Sequence, residues 1–455
     1  MKPAAKKPPK SSPPAIKAAA GLASRRIAVD ALVDVLVKRK PLDGALDRLG
    51  SGTDARGLHP SDLAMTRLVV ATTLRRLGQL EDVLARFIAK PLPDEATRAK
   101  IILLTAAAQL LFLGTAPHAA IDVAVTLCHE KPETERLSGL TNAVLRKVAT
   151  EGPAFVAGQD AGRLNSQDWL WERWVAAYGE ATARAIAIAH LHEAALDVTV
   201  KSDAAGWAKR LGGVVLPTGS VRLKAKGRID QLEGFAEGAW WVQDAAAALP
   251  VGLLADIAGK RVADLCAAPG GKTAQLAVAG TQVTAVDDSA ARLGTLRGNL
   301  GRLGLSAEII HADAAKWMPG TLFDAVLLDA PCLATGTIRR HPDLPFLKRP
   351  EDLKALVGIQ TKLLDNAARM VSPGGLLVYG TCSLEPEEGP EQIARFLART
   401  DGFEVKPVRA GEAGIAAEWV TAEGYLRTLP SYMAMESAEL SGLDGFFAAR
   451  LRRRR

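Results

Sequence analysis

Apolar residues recur at helical spacing over 22–150, with Ile27, Ala31, Leu32, Val35 and Leu36 early and Ile101, Leu104, Ala108 and Leu111 later, and strand-like alternation is almost absent. This pattern predicts an all-helical domain. Within it Cys128 reads as an inert buried residue, and His118 as a residue of a helix N-terminus. Over 152–235 the pattern is mixed. Asp168 opens an amphipathic helix whose Trp169, Trp171 and Trp174 read as packing groups, and the alternating runs 196–201 and 221–224 read as strands. From Glu237 onward strand and helix patterns alternate as in an α/β sheet. No internal repeat is found. The expected organisation is a basic Lys/Pro tail over 1–20, a helical domain over 21–150, a mixed α/β connector over 151–235, an α/β domain over 236–451 and a basic tail over 452–455.

Two apolar runs in the last domain end on cysteine. Leu376, Leu377 and Val378 lead through Tyr379, Gly380 and Thr381 to Cys382 and Ser383, while Val326, Leu327 and Leu328 lead through Asp329, Ala330 and Pro331 to Cys332. In a parallel sheet both thiols reach the same edge, where such folds bind ligands. A third run, Arg261 to Leu265, reads as a buried strand followed by the turn Cys266, Ala267, Ala268, Pro269, Gly270, Gly271 and Lys272, with a helix from Thr273. The two glycines let the backbone approach a ligand closely, and the helix start offers unpaired N–H donors.

Three cofactors compete for this turn. A phosphate-binding loop needs glycine five residues before Gly271, and Cys266 stands there. The dinucleotide fingerprint of three spaced glycines is also absent. A nucleoside cofactor without phosphate remains. The next strand, 282–286, ends at Asp287, whose carboxylate can bind both ribose hydroxyls, and Asp313, beyond the strand at 308–311, is placed for adenine. Acids suit a sulfonium cation better than a pyrophosphate, so S-adenosylmethionine is the expected cofactor. Asp288 reads as a helix cap.

Composition narrows the setting. The 455 residues suggest roughly three domains, and 48% apolar with 24% charged residues is ordinary for a globular protein. No apolar stretch reaches the about 18 residues that span a bilayer, and the N-terminal lysines precede no apolar signal core; a cytoplasmic protein without membrane contact is expected. Four cysteines without close pairing argue against a disulfide framework and a zinc module, and no metal is expected. A net charge of +7, concentrated in the tails, favours a polyanionic partner without choosing one. Both tails are expected to be disordered.

The combination of Cys266–Thr273, Asp329–Cys332 and Thr381–Ser383 resembles RNA 5-methylcytosine methyltransferases of the RsmB/Sun family. The helical segment resembles the NusB-like RNA-binding fold, most clearly at Ala116–Ile121 and Gly139–Arg146. Asp444–Leu451 is similar to the family's last strand. The resemblance implies a NusB-like bundle, a small α+β connector and a Rossmann-like class I methyltransferase domain. It implies cofactor contacts from residues 266–272, Asp287, Asp313 and Asp329, and RNA as substrate, with 16S rRNA first and no DNA.

Cytosine C5 is a poor nucleophile, and addition of a thiolate to C6 makes it reactive. A carboxyl group at ring nitrogen 3 assists, and Asp329 is so placed. A second base near C5 then helps the proton leave. The residues alone do not order the thiols, because DNA cytosine methyltransferases use a Pro-Cys nucleophile. By the resemblance, Cys382 attacks and Cys332 assists release. After Cys332, Gly336 with Arg339, Arg340 and His341 suits a loop gripping RNA backbone beside a flipped base, and Lys272 is a further RNA-contact candidate. Two departures from the family pattern, Leu333 and Gly389-Pro390, bear on substrate positioning. Methylation of tRNA or of another rRNA site is the alternative within the class. A non-catalytic RNA-binding or assembly factor is the alternative outside it. The oligomeric state is not legible.

Overall fold

The helical first part forms because its apolar stripes have one another to pack against. The computed structural model describes residues 14–52, 56–224 and 228–455, and most of the Lys/Pro tail, 1–13, lies outside the described residues. By internal contacts the chain divides into two units, one reaching to Gln167 and including Pro342–Leu347, the other made of Asp168–His341 and Lys348–Arg455.

In the first unit, helices Pro14–Leu36, Leu42–Gly50, Pro60–Arg75, Leu77–Phe87, Thr97–Phe112, Pro117–His129 and Ser138–Ala157 surround one core. Helix Thr97–Phe112 is buried without interruption from Ile101 to Ala108, so it is the central helix rather than an amphipathic surface one. Leu32, Val35, Val70, Val83, Leu127 and Leu145 pack in the same core. Cys128 is fully buried there. Phe346 and Leu347, distant in sequence, also pack against it, and the Asp343 carboxylate accepts the Leu42 N–H at 2.8 Å. The first helix begins at Pro14, which corrects the expectation of an unstructured tail to residue 20. The alanine-rich run after Pro14 has high helix propensity, and proline suits a first helical position.

The second unit holds two sheets. Strands β1 (Leu196–Val200), β2 (Gly213–Val215), β3 (Val221–Leu223) and β4 (Trp240–Val242) form an antiparallel sheet in the order β2-β3-β1-β4, with Val198, Val221 and Trp240 in its core. The larger sheet contains β5 (Arg261–Leu265), β6 (Gln282–Asp287), β7 (Glu308–His311), β8 (Phe323–Asp329), β9 (Val371–Thr381), β10 (Phe403–Val405), β11 (Leu426–Thr428) and β12 (Phe446–Arg453). Its order is β10-β12-β9-β8-β5-β6-β7, with β11 beside β12. Strands β5 to β9 pair in parallel, whereas β10, β11 and β9 pair with β12 antiparallel. Helices cover both faces, and the period-2 geometry of a strand explains the composition. Val326, Leu328, Leu377, Tyr379 and Phe447 join one core with Leu363, Leu364, Ile393 and Phe396. Their neighbours Ala325, Leu327, Val378, Phe446 and Ala448 join another with Ala245, Leu249 and Leu276.

The basic C-terminal stretch is partly strand. Arg452 pairs with Glu404 and Arg453 with Phe403 in the β10–β12 ladder, so only the last two residues extend beyond it. Backbone pairing to β10 outweighs the mutual repulsion that suggested a tail.

Candidate active site

Because β5, β6, β7, β8 and β9 run the same way, everything that follows them emerges on one edge. The register makes this tight: Leu265 lies opposite Val286 and Leu328, Asp287 opposite His311, and Asp329 opposite Gly380. Strand order reverses around β5, with β8 on one side and β6 on the other. Such a switch point leaves a crevice for ligands.

The turn after β5 is held from several sides. Cys266 takes a left-handed conformation at φ +61° and Gly270 one at φ +104°, the second of which only glycine adopts without strain. The Ala267 N–H donates to the Val286 carbonyl at 3.1 Å, the Ala268 N–H to Asp287 Oδ2 at 3.1 Å, and Asn299 Nδ2 to the Pro269 carbonyl at 3.0 Å. Arg292 donates to the Ala268 carbonyl. Burial first, then the surrounding acids, pushes the Cys266 thiol far up, which leaves it a neutral packing group. The helix Gly271–Val278 follows, and Lys272 turns back so that its ammonium lies 2.7 Å from Asp329 Oδ2 and 5.2 Å from the centre of the Phe446 ring. Burial alone would lower Lys272. The charge and hydrogen bond of Asp329 outweigh it and hold the ammonium above its ordinary range.

The acids at this edge include Asp287, Asp313, Asp329 and Asp264. Asp287 is buried and also accepts the Ser289 N–H at 3.1 Å. Asp313 is exposed, and the Ala315 N–H, then Lys316, holds its carboxyl below the usual range. Asp329 is half-buried at the end of β8. The fourth, Asp264, was not singled out in the sequence, where it reads as one more strand residue. It is fully buried, accepts the Thr273 hydroxyl at 2.6 Å on Oδ2, and has no partner for Oδ1 among the described residues. Burial pushes its carboxyl up to about 7. A buried carboxylate with an orphaned oxygen and too little positive charge nearby is what a cationic, amine-bearing ligand can satisfy. The residues present therefore fit S-adenosylmethionine.

On the other side of Asp329 the two thiols meet. Cys332 Sγ lies 3.5 Å from Cys382 Sγ, and both residues are partly exposed. Contact with Cys382, then burial, then the charge of Glu388 pushes the Cys332 thiol well up. The loops that carry them are stitched together: the Ala330 N–H donates to the Gly380 carbonyl at 2.9 Å, the Gly336 N–H to the Cys382 carbonyl at 3.0 Å, and the Leu384 N–H to Thr335 Oγ1 at 2.9 Å.

The loop beyond Cys332 differs from expectation. A Cβ on Gly336 would fall 1.9 Å from the Gly445 carbonyl oxygen, so this glycine serves a close backbone approach inside the protein. Arg339 is buried and donates to the carbonyls of Ser441 at 2.6 Å and Leu443 at 3.4 Å. Arg340 pairs with Asp444 and with Asp244, the latter at 3.5 Å. The arginine pair expected to grip RNA backbone is thus turned inward, where it ties the loop to the segment before β12. His341 is exposed. The helix cap expected at Asp288 is one residue on, where Ser289 accepts the Arg292 N–H. No helix among the described residues is long and apolar enough to cross a membrane.

Comparison with known proteins places this arrangement. Residues 251–452 match the family model of 16S rRNA methyltransferase RsmB/F, and residues 22–150 that of the NusB family. The chain is 33% identical to the ribosomal RNA small subunit methyltransferase B of Klebsiella pneumoniae, covering 95% of this chain and 98% of that one. It is 36% identical to the protein of the same name from Vibrio cholerae, covering 75% and 83%. Among solved structures, that of PH0851 has the same fold, with a TM-score of 0.72 at 22% identity over 97% of this chain and 100% of that one. The chain belongs to the RsmB/F family of methyltransferases, which use S-adenosylmethionine, and carries a NusB domain ahead of the catalytic one.

Proposed function

We propose that this protein methylates C5 of a cytosine in 16S rRNA through a covalent adduct on Cys382. The observation that carries the reading is the 3.5 Å approach of Cys332 and Cys382 beside Asp329 and the cofactor turn. Cys382, as thiolate, adds to cytosine C6 and makes C5 nucleophilic. The Asp329–Lys272 pair supplies the proton or hydrogen bond at ring nitrogen 3. S-adenosylmethionine, when bound, supplies an electrophilic methyl group, held by residues 266–272 with Asp264, Asp287 and Asp313. The C5 proton then passes to water, the C6–S bond breaks, Cys382 leaves as thiolate, and ring nitrogen 3 gives up its proton or hydrogen bond to the Asp329–Lys272 pair again. At 3.5 Å from Cys382 Sγ, Cys332 Sγ is placed to donate its S–H to the departing sulfur.

The names of the relatives support 16S rRNA, and the match to the NusB family supports RNA recognition by the helical unit. A purely RNA-binding factor would need neither thiol. Bisulfite mapping of rRNA and tRNA, from cells with and without this protein, tests the reading. One 16S cytosine should lose its resistance to conversion. A change only in tRNA would move the target, and no change at any cytosine would refute the chemistry.

A further inference from the structure

Glu388 is fully buried, and among the described residues no lysine or arginine bonds its carboxylate. Both of its oxygens lie 3.1 Å from the Leu333 N–H, which donates to them, and Oε1 also accepts from Gln360 Nε2 at 2.8 Å. Gln360, equally buried, donates from the same nitrogen to the Pro331 carbonyl at 2.9 Å. The two peptide groups that flank Cys332 are therefore fixed by this pair of side chains. The backbone carbonyl of Glu388 meanwhile accepts from the Tyr379 hydroxyl at 2.8 Å and from Thr381 Oγ1 at 3.3 Å, on the strand that delivers Cys382. One residue thus grips the chain just after one thiol and just before the other.

Burying a carboxylate without a cation is costly, and a neutral side chain could have filled the same space. What a carboxylate adds is two acceptor oxygens aimed at one amide, which fixes the Pro331–Leu333 turn more narrowly than a single acceptor would. Burial, the first cause, raises the carboxyl; the Ser383 hydroxyl, the Leu333 amide and Gln360 pull it back.

Resting on the reading that the two cysteines share one reaction, we propose that Glu388 and Gln360 are positioning residues that set the spacing of Cys332 from Cys382 and so govern release of the methylated base. In the proposed reaction they touch neither base nor cofactor. Their effect passes through the Cys332 turn.

The test uses Gln360→Ala and the conservative Glu388→Gln in the full-length protein, with two readouts. The first is independent of the reaction: diamide oxidises the two thiols to a disulfide, each sulfur losing a proton and the pair giving two electrons to the reagent, and peptide mass spectrometry follows the 332–382 link. Both variants should form it more slowly, by up to about a hundredfold, the size expected for a misplacement near 1 Å. The second is turnover on RNA: kcat should fall by a similar factor with KM for RNA and cofactor affinity little changed, and a covalent protein–RNA band should build up on denaturing gels. Wild-type disulfide rates in both variants would overturn the proposal whatever the chemistry. Slow disulfide formation with normal release would also overturn it, by separating spacing from release. Should Cys382→Ala remain active, the covalent reading itself fails, and the disulfide rates still decide whether the pair sets the spacing.

Discussion

The Lys272 ammonium lies 2.7 Å from the Asp329 carboxylate and so joins the turn after β5 to the end of β8, three residues before Cys332. In the proposed reaction this pair leaves the proton needed at the cytosine ring on either of two groups. Asp329→Asn keeps the shape and removes the charge, and kcat should fall about 10²- to 10⁴-fold, the usual contribution of a positioned acid. Single-turnover methyl transfer measures it. A variant as fast as the parent would leave Asp329 a structural partner of Lys272 only.

Cys382→Ala should abolish methyl transfer to RNA while cofactor affinity, measured calorimetrically, stays within a few-fold of the parent. The thiol and the turn at 266–272 follow different strands, β9 and β5. Measurable turnover in the purified variant would rule out Cys382 as nucleophile.

For Cys332→Ala the expected outcome is a trapped intermediate. Addition and methyl transfer remain possible, but the departing sulfur loses a donor 3.5 Å away. Labelled RNA should run as a retarded band on denaturing gels, and that band should vanish in the double variant with Cys382→Ala. Normal turnover with no band would make Cys332 a packing residue.

Cofactor binding should depend on pH through Asp264. Its folded carboxyl sits up at about 7, against roughly 4 in an unfolded chain. Between those values the folded protein holds a proton that the unfolded chain has lost, so this group's contribution to stability declines as pH rises from about 4 to about 7. A cationic ligand favours the ionised form. S-adenosylmethionine affinity should therefore rise with pH below 7, by at most about tenfold per unit for one proton, and level off above. Asp264→Asn should flatten this slope in calorimetric titrations. An identical slope in both proteins would remove Asp264 from the cofactor site.

Much of the site is legible in the sequence because parallel strands share a direction. Once the runs at 261–265, 282–286, 308–311, 326–328 and 376–378 are read as parallel strands, residues 266–272, Asp287, Asp313, Asp329, Cys332 and Cys382 must gather on one edge. Sequence distance does not matter to that argument. Absent phosphate-loop and dinucleotide patterns narrowed the cofactor in the same way, since a glycine in the wrong place cannot make the turn.

What each polar residue does after the strand ends depends on neighbours that only folding supplies. Arg339 and Arg340 look like an RNA grip in a local reading, yet Asp244, Asp444 and the carbonyls of Ser441 and Leu443 claim them. Asp264 looks like any strand residue until burial leaves one of its oxygens without a partner. Glu388 and Gln360 carry no local signal of their link to Cys332, because the bonds run between the loop after β9, a helix and the loop after β8. Nor does any pattern near 342–347 announce that Phe346 and Leu347 complete the core of the helical unit. From residue order alone came the helical first part, the alternating α/β pattern after it and the residues expected at the reactive edge, since periodicity is a local property of the chain. Which charges are paired inside the protein and how closely the two sulfurs approach follow only from the fold, because burial and hydrogen bonding depend on segments far apart in the chain.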